Sequence, residues 1–574
     1  MRVPIWDRQA VDEEQVAALA AELGVSPVVA RLLWLRGVRD AAAAHRFLHP
    51  TLDDLHDPFR LAGMAAAVER LEAALARGET IGLHGDYDVD GITAAVMLRR
   101  ALELLGGRVL LALPDRLRDG YGLQPAAVER LHAQGASVIV TVDCGVRSAE
   151  AAAVARALGV ALIVTDHHEP DACLPDALAV INPRRADCGY PDKSLSGAGV
   201  ALKLVQALCR RAGRERWLPA FVKMAAIGTL ADVVPLIGEN RVIARLGLEA
   251  LSRGPHTVGL RALLESAGLA GRRIESFHVG YILAPRVNAA GRMSDPHLAA
   301  RLLSATHETL AAEARELAGR LEAENARRQE EEARILARAY SAIEADPAIG
   351  AHNILIVAGE DWHRGVIGLV AAKLVEAFHK PAVVLGIEGD LAYGSCRSIP
   401  AFDMLAALEC CHDLLLRFGG HRQAAGLTME TARLPLLRDR LTAYADARLE
   451  PLDLVPRLRI DASLGLRGIT PDLIEALATL EPFGLGNPRP IFAASPVDIV
   501  DGPRLLKDRH LKLAVRQDGR TFRAIAWRAA GRLPDLEARR ERLALAFSLE
   551  RDDYAGDSFV QLAVADLRPA EHVG

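Results

Sequence analysis

Acidic residues and histidines cluster in the first half of the sequence in a pattern that suits the binding of divalent cations. The densest cluster follows a short apolar run and contains His84, Asp86, Asp88 and Asp90. Like charges this close together repel one another unless a cation lies between them. A helix cap rich in Asp, just before Gly91, is the structural alternative for this segment taken alone.

Three further segments carry acidic residues or histidines at the ends of predicted elements. They contain Asp143 (VDCG), the run Asp166, His167 and His168 (DHH), and Asp232 (LADVV). The carboxyl ends of strands in an open parallel sheet converge on one crevice, so the first two segments are expected beside the Asp-rich cluster. Asp232 ends a predicted apolar helix, where an unpaired buried carboxylate is costly. Carboxylate oxygens and imidazoles together predict a site for two ions of Mn²⁺ or Mg²⁺.

The elements that must position these residues form a repeated β-α-β pattern. An apolar run at 79–83, a helical segment at 91–105 and a second apolar run at 109–113 make the first unit. Similar runs follow at 136–142, 148–158, 160–164 and 178–181, and then helices at 199–211 and 218–230. This alternation predicts an α/β domain with a parallel, doubly wound sheet.

The rest of the chain predicts a connecting helix, a second α/β domain and a barrel. Residues 299–345 are rich in Ala, Leu, Glu and Arg and lack proline, so one long, largely solvated helix is expected. Strand-like runs flank a helical segment at 366–378, and short β-like runs recur after Pro456, which is typical of an OB-like barrel. The predicted boundaries are 1–298 for N-terminal helices with the first α/β domain, 299–345 for the helix, 346–452 for the second α/β domain and 453–574 for the barrel.

Length and composition exclude several classes of protein. A chain of 574 residues is too long for a single hydrophobic core, and 51% hydrophobic residues exclude a largely disordered chain. Apolar runs are too short for a membrane span, and the N-terminus lacks the pattern of a signal peptide, so we expect a cytoplasmic protein. Seven cysteines without a C-x-x-C pair predict reduced thiols. A net charge of −5 does not by itself indicate a nucleic-acid partner.

The motifs closely resemble those of the DHH phosphoesterase superfamily. GDYDVDG, VDCG, DHH and the segment around Asp232 are similar to its four motifs, and GSCRS at 394–398 and GGHRQAAG at 419–426 are similar to its companion DHHA1 domain. The resemblance covers about residues 50 to 450. Within the superfamily, the length, the connecting helix and the barrel resemble the RecJ family of exonucleases. That resemblance implies 5′ to 3′ hydrolysis of single-stranded DNA to mononucleotides in recombination and repair, with single-strand-binding protein and a helicase as partners.

The resemblance also implies a role for each motif residue. One metal ion would be held by His84, Asp88 and Asp143, and the second by Asp90, Asp143, His167 and Asp232. Asp143 would bridge the two ions, and a metal-held water would attack phosphorus in line. His168 would lie by the scissile phosphate as a hydrogen-bond donor or acid. The predicted catalytic residues are therefore Asp88, Asp90, Asp143, His167, His168 and Asp232.

Candidate DNA contacts lie outside the metal motifs. Chemistry and resemblance together assign the terminal 5′ phosphate to Ser395, Arg397, Gly419, Gly420 and His421. The stretch 284–293 offers Arg286, Asn288 and Arg292 for phosphates, with a salt-bridged helix cap as the alternative. Tyr121 is expected to stack on a base or to pack under its own loop. The barrel interleaves cations and aromatic rings as a strand-binding surface would, at Lys507, Arg509, His510, Lys512, Phe522, Arg523 and Trp527.

Two other functions stay open at this point. An oligoribonuclease or cyclic-dinucleotide phosphodiesterase would share the metal motifs, but such enzymes usually lack the long helix and the barrel. A replication scaffold with a retired site would be expected to have lost metal carboxylates, which are complete in this sequence. The chain length and the barrel favour a long polymer as the substrate.

Overall fold

The computed structural model describes residues 3–116, 118–120, 122–552 and 559–572, which belong to two compact units. One unit consists of residues 55–234 and 238–455, and the other combines residues 3–54, 235–237 and the described part of 456–574. In chain order the strands β1 to β18 are Ile5–Arg8, Thr80–Gly85, Arg108–Ala112, Ala136–Val142, Ala161–Thr165, Ala179–Ile181, Leu355–Glu360, Ala382–Glu388, Leu391–Arg397, Leu415–His421, Ala424–Glu430, Arg457–Ile460, Ala462–Ser463, Phe492–Leu506, His510–Gln517, Arg520–Ala526, Leu543–Asp552 and Phe559–Pro569.

The helices lie between these strands and pack on the sheets. In chain order α1 to α21 are Glu13–Leu23, Pro27–Leu35, Ala41–Leu48, Met64–Arg77, Val89–Leu104, Pro125–Ala133, Ala149–Ala157, Gly197–Arg211, Leu218–Ala231, Gly238–Arg253, Val258–Ser266, Ser276–His278, Ala284–Met293, His297–Ser304, Ala311–Ala345, Pro347–Ala351, Arg364–Phe378, Met404–Glu409, Leu434–Asp446, Pro471–Thr479 and Leu533–Ala538. One turn of π-helix, Val279–Leu283, leads into α13.

The first sheet is parallel throughout and has the strand order β3-β2-β4-β5-β6. Its central strands β4 and β5 are rich in valine and isoleucine and are buried along nearly their whole length, as expected for strands covered on both faces. The carboxyl ends of β2, β4 and β5 therefore meet at one edge of the sheet. The predicted parallel, doubly wound sheet is confirmed.

The second sheet, in the same unit, is mixed and has the order β10-β11-β9-β8-β7. Strands β7 and β8 pair in parallel, and the crossover helix α17 joins them in the sequence. The remaining strand pairs of this sheet are antiparallel. Helix α17 packs against β8 and β9 with an apolar face that includes Val366, Val370 and Leu374. The predicted second α/β domain is thus confirmed.

The connecting helix differs from the prediction in its start and in its exposure. Residues 297–304 form the separate helix α14, and the chain then turns because Ala305 is extended and its carbonyl accepts a hydrogen bond from the Gly259 N–H group. The long helix α15 begins at Ala311 and has 35 residues. A stripe that includes Leu321 and Ile335 is fully buried, since α15 packs on α11, α13 and α14 along one part and on α17 along another. The prediction of a largely solvated helix was wrong for this face.

The second unit is built around a closed barrel with the order β14-β15-β16-β18-β17, in which β17 pairs again with β14. Leu32, Leu33 and Phe47 of the N-terminal helices share its core with Phe492 and Phe547 of the barrel. Strand β1 pairs in parallel with β12. The OB-like barrel is confirmed, but the predicted domain 1–298 was wrong for its first 54 residues. Their apolar faces are buried against a barrel some 400 residues later in the sequence, and no local pattern signals such a contact.

Among the described helices, no single one is long and apolar enough to cross a membrane. The bent pair α1 and α2 is long and apolar enough only when the two helices are taken together. Leu32 and Leu33 of α2 are, however, buried in the barrel core. All seven cysteines are free thiols.

Candidate metal centre

The Asp-rich cluster lies in the turn between β2 and α5. Asp88 caps α5, because its carboxylate accepts a hydrogen bond from the Gly91 N–H group at 3.1 Å. Asp90, in the first helical turn, points away from this cap and accepts hydrogen bonds from the N–H groups of Gly197 and Ala198 at 2.7 and 2.8 Å. The helix cap therefore accounts for Asp88, whereas Asp90 is held by the first turn of α8.

Asp143 follows the last residue of β4 and has a φ of 63°. This left-handed conformation is unfavourable for most residues and is tolerated best by glycine, asparagine and aspartate. Gly197 lies so close that a Cβ atom on it would overlap the Asp143 carboxylate. The backbone of Asp143 and the missing side chain of Gly197 together make room for a carboxylate in the interior.

His167 brings the carboxylates of three different elements together. Its Nε2 atom lies 3.1 Å from Oδ1 of Asp143, 3.6 Å from Oδ2 of Asp232 and 4.0 Å from Oδ2 of Asp90. Asp232 takes part because it is the C-cap of α9 and sits at the end of that apolar helix. The residues predicted for the second metal ion are therefore neighbours in space.

Three overlapping groups of side chains offer ligand atoms within 4.8 Å of one another. They are Asp90, His167 and Asp232; Asp86, Asp88 and Asp143; and Asp143, His167 and His168. Asp143 and His167 each belong to two of them, and of these two only Asp143 is a carboxylate, whose oxygens can be shared by two ions. His84 is buried at the end of β2 and belongs to none of the three, so its role as a ligand stays a prediction. Asp86 stands beside Asp88 in one of these groups, so it is a further candidate ligand, and its D-x-D spacing with Asp88 is the sequence signal for it.

The buried carboxylates of the centre repel one another, and bound cations would relieve this repulsion. Burial, followed by repulsion from neighbouring carboxylates, raises the pKa of Asp90 to about 7 and those of Asp86, Asp143 and Asp232 well above their usual range. Burial lowers the pKa of His167 to about 3, which leaves a neutral imidazole free to act as a ligand.

Three of the predicted ligands also carry buried donor atoms that form no well-directed hydrogen bond among the described residues. They are Oδ1 of Asp143 and both ring nitrogens of His84 and of His167. Unpaired polar atoms inside a protein are costly, and a bound cation would satisfy them. Since the donors are carboxylate oxygens and imidazoles, the residues present fit Mn²⁺ or Mg²⁺.

His168 differs from its neighbour because it is held by a carboxylate. Its Nδ1 atom lies 2.7 Å from Oδ1 of Asp166, which also accepts the N–H groups of His167 and His168. Although burial opposes both shifts, this pairing lowers the pKa of Asp166 and raises the pKa of His168. His168 is therefore oriented and readily protonated, as a proton donor requires. In the sequence, Asp166 was predicted only as part of a motif, and this role was missed.

Three arginines gather on another side of the centre. Arg292 on α13 donates to the carbonyl of Gly365 at 3.0 Å, and burial followed by repulsion from Arg116 lowers its pKa to about 10. Burial also lowers the pKa of Arg397. Cys396 acts to raise this pKa, and the positive charge of Arg116 acts to lower it further. Cations that repel one another in this way suit a phosphate group. Arg116, whose guanidinium lies over the Tyr87 ring, was missed as a candidate.

The other predicted DNA contacts fall into different places. Asn288 accepts a hydrogen bond from the Val89 N–H group at 3.2 Å, so it supports the metal-binding turn. Arg286 forms an ion pair with Glu322 of α15, as in the alternative to a phosphate contact that the sequence left open. Ser395 accepts a hydrogen bond from Arg397 at 3.3 Å. Tyr121 lies outside the described residues.

The hairpin of β10 and β11 carries Gly419, Gly420 and His421. Gly420 has a φ of 145°, and a Cβ atom there would overlap the carbonyl of Ala424, so only glycine fits. Burial and then the positive charge of Arg147 and His168 lower the pKa of the His421 imidazole. This end of the hairpin therefore faces the same centre.

Three family models match the chain. The model described as the DHH family, N-terminal domain, matches residues 80–229, the DHHA1 domain matches residues 351–447, and the RecJ OB domain matches residues 460–566.

Similar proteins cover nearly the whole chain. The chain is 36% identical to the single-stranded-DNA-specific exonuclease RecJ of Bacillus subtilis (strain 168) and 35% identical to that of Escherichia coli (strain K12). These alignments cover 99% and 98% of this chain, and 71% and 98% of the relatives. A crystal structure of RecJ from Thermus thermophilus in complex with Mn²⁺ has a TM-score of 0.84 and 34% identity, and the match covers 98% of this chain and 79% of that one.

Proposed function

The chain belongs to the RecJ family of single-stranded-DNA-specific exonucleases, and from this membership we propose that it hydrolyses single-stranded DNA with divalent metal ions. The observation that carries the proposal is the convergence of Asp90, Asp143, His167 and Asp232 around buried, unpaired donor atoms. Two ions of Mn²⁺ or Mg²⁺ would be the cofactors, and they would be held by His84, Asp88, Asp90, Asp143, His167 and Asp232, with Asp86 as a further candidate ligand.

We infer a role for each group around the scissile phosphate. Bound divalent cations supply a water of lowered pKa and neutralise charge on the phosphate. Asp143 links the ligand group of Asp86 and Asp88 to that of His167, because its carboxylate belongs to both. His168, oriented by Asp166, gives a proton to the oxygen that leaves when the P–O bond breaks. The arginine cluster Arg116, Arg292 and Arg397 neutralises the oxygens of a second phosphate.

We propose that this second phosphate is the 5′ end of the strand, so that hydrolysis proceeds 5′ to 3′ and releases mononucleotides. A terminal phosphate carries more charge than an internal one, and Arg397, Arg292 and Arg116 bring three guanidinium groups to one place. Their distance along the strand from the metal centre would set the cut one nucleotide from the end.

The first prediction tests this direction. Arg397→Ala is expected to reduce kcat/KM on a 5′-phosphorylated strand by about ten- to hundred-fold, since a charge-assisted hydrogen bond contributes roughly 1.5 to 3 kcal/mol. Steady-state kinetics on 5′-phosphate and 5′-hydroxyl strands measure it, and the variant should lose most of the difference between them. Arg422→Ala, in the exposed turn of the same hairpin, is the matched control. Wild-type kcat/KM in the Arg397 variant on phosphorylated strands would refute the assignment.

The second prediction concerns strand selection. The metal residues lie around the first sheet and Arg397 lies on β9 of the second, and α15 packs on both α13 and α17, so the path to the metal ions is expected to admit one strand. A blunt duplex should be degraded at least about ten-fold more slowly than the same strand alone, because each base pair that must open costs energy before contacts to the protein form. A gel assay with 5′-labelled duplex and single strand measures the ratio, and equal rates would contradict the prediction.

The same assay separates the remaining alternatives. A strand of DNA, the equivalent RNA and a dinucleotide are incubated with Mn²⁺. Preference for the dinucleotide or for RNA would favour an oligonucleotide phosphodiesterase. Binding without hydrolysis would favour a scaffold.

The proposal extends to the cellular setting. Recombination and repair supply single strands with free 5′ ends, and a helicase and single-strand-binding protein would produce and cover them. We propose these as partners and the cytoplasm as the location, where bacterial DNA is processed. Co-sedimentation of the purified chain with single-strand-binding protein tests the partner.

A further inference from the structure

An exposed, stacked pair of aromatic rings lies outside the metal centre. Phe277 and Tyr281 have ring centroids 5.1 Å apart and planes inclined by 22°. Their exposed fractions are 56% and 75%. Large aromatic side chains usually bury most of their surface, so two adjacent exposed rings suggest a surface that a ligand covers.

The rings are presented by a rigid and unusual piece of backbone. Tyr281 lies in the π-helical turn Val279–Leu283, in which the Ala284 N–H group donates to the carbonyl of Val279. Val279 and Leu283 are fully buried, so the turn is anchored from below while Tyr281 projects outwards. Turns of π-helix within helices occur frequently at functional sites. The backbone that carries Tyr281 is thus held by the packing of Val279 and Leu283.

The same helix leads from these rings to the catalytic groups. Asn288, which supports the metal-binding turn, is seven residues after Tyr281, and Arg292 of the arginine cluster is eleven residues after it. The π-helical turn runs directly into α13, so these groups follow one another along one continuous helix. Eleven residues rise about 16 Å, which is roughly five nucleotides of stacked strand at about 3.4 Å each.

We propose that Phe277 and Tyr281 form a base-stacking subsite for the single-stranded substrate, up to about five nucleotides from the cleaved end. The proposal rests on the proposed function, because the strand that reaches the metal ions is the one that would cross this helix. Every base has an aromatic face, so stacking would hold the strand without selecting its sequence.

The charges around the rings are compatible with a polyanion. Arg272 and Arg273 precede the pair in the sequence; burial lowers the pKa of His278, Glu275 opposes this shift and Arg272 adds to it. The nearby carboxylate of Glu275 is engaged in a capping box with His278. Cations and aromatic rings close together are the combination that non-specific single-strand sites use.

The third prediction follows from a comparison of Tyr281→Leu with Tyr281→Phe. Loss of one stacked base is expected to raise KM on a 20-nucleotide strand, and Kd in fluorescence anisotropy, by about 5- to 150-fold in the leucine variant. The phenylalanine variant keeps an aromatic face and should stay near the wild type. On a dinucleotide, which is too short to reach the rings, both variants should match the wild type. Leu436→Ala, another exposed apolar position in the same unit, is the control.

The outcomes distinguish the subsite from the proposed function. Wild-type KM and Kd in the leucine variant, with hydrolysis intact, would overturn the subsite alone. A wild type that cuts no single strand would overturn the proposed function, and the anisotropy titration would still decide whether the rings bind DNA. An equal loss on the dinucleotide and the 20-nucleotide strand would mean that the substitution disturbs α13 and the catalytic groups, and this result would also overturn the subsite.

Discussion

Asp143→Asn is expected to lower the rate of single-strand hydrolysis by several orders of magnitude while leaving the fold intact. Asp143 is the one carboxylate shared by two of the three groups of potential ligands described above, so the loss of its charge weakens both ion positions at once. Two cations a few ångströms apart repel strongly, and a shared carboxylate offsets that repulsion. Asparagine is the right replacement because the φ of 63° at this position would strain alanine by about 1 to 2 kcal/mol.

In the absence of metal, the same substitution is expected to leave the stability of the folded protein unchanged or to increase it. A carboxyl group whose pKa is raised by burial and by neighbouring carboxylates destabilises the folded state at neutral pH, because the unfolded chain ionises it more easily. Asp143→Asn should therefore have an equal or higher Tm than the wild type without metal. Addition of Mn²⁺ should raise the Tm of the wild type by mass action and that of the variant much less.

Three measurements check this prediction. They are the nuclease rate with Mn²⁺, the Tm with and without Mn²⁺, and anisotropy of the same oligonucleotide, whose binding should persist in low salt because contacts to phosphates release counterions. Asp192→Asn, at a half-buried carboxyl group of the same unit whose pKa burial also raises, is the control for loss of a charge away from the proposed ligands. Near wild-type cutting by Asp143→Asn would exclude Asp143 as a bridge between two ions.

His168→Ala is expected to reduce the hydrolysis rate by about 10²- to 10⁴-fold, the range typical of a general acid. His168 is the imidazole that Asp166 holds at 2.7 Å and keeps readily protonated. The affinity for Mn²⁺, measured through the rise in Tm on adding the metal, should change far less than in Asp143→Asn. The reason is that His168 belongs to only one of the three groups of potential ligands.

A modified substrate makes the test of His168 specific. If His168 protonates the leaving oxygen, a strand with sulfur in that bridging position needs no proton, since a thiolate leaves readily. The His168→Ala variant should then cut the sulfur-containing strand at close to the wild-type rate. An equally large loss on both substrates would show that His168 acts in another way.

The sequence predicts most of the catalytic unit because its signals are local. β-branched strands followed at once by Asp143 or by the DHH run are sufficient to place these side chains at one edge of a parallel sheet. Asp232 was predictable too, since a carboxylate at the end of an apolar helix needs a partner. The three-dimensional arrangement then confirmed that these residues are neighbours.

What the sequence missed depends on contacts between distant residues. Arg116 lies in a loop without a pattern, and only the fold brings it near Arg292 and Arg397. The end of α14 at Ser304 could not be predicted from its Ala-rich surroundings, because a hydrogen bond from Gly259 favours the turn. The placement of the N-terminal helices against the barrel had no local signal at all.

That placement has a consequence for the order in which the protein is made. About 400 residues separate the two parts of the barrel unit, and a ribosome adds roughly 5 to 20 residues per second. The N-terminal helices therefore leave the ribosome roughly 20 to 80 seconds before the strands that cover them. The catalytic unit can fold during this interval, while the buried leucines of α2 remain accessible to chaperones. The residues of α2 thus reach their native environment only after the strands that bury them, made long afterwards, have formed.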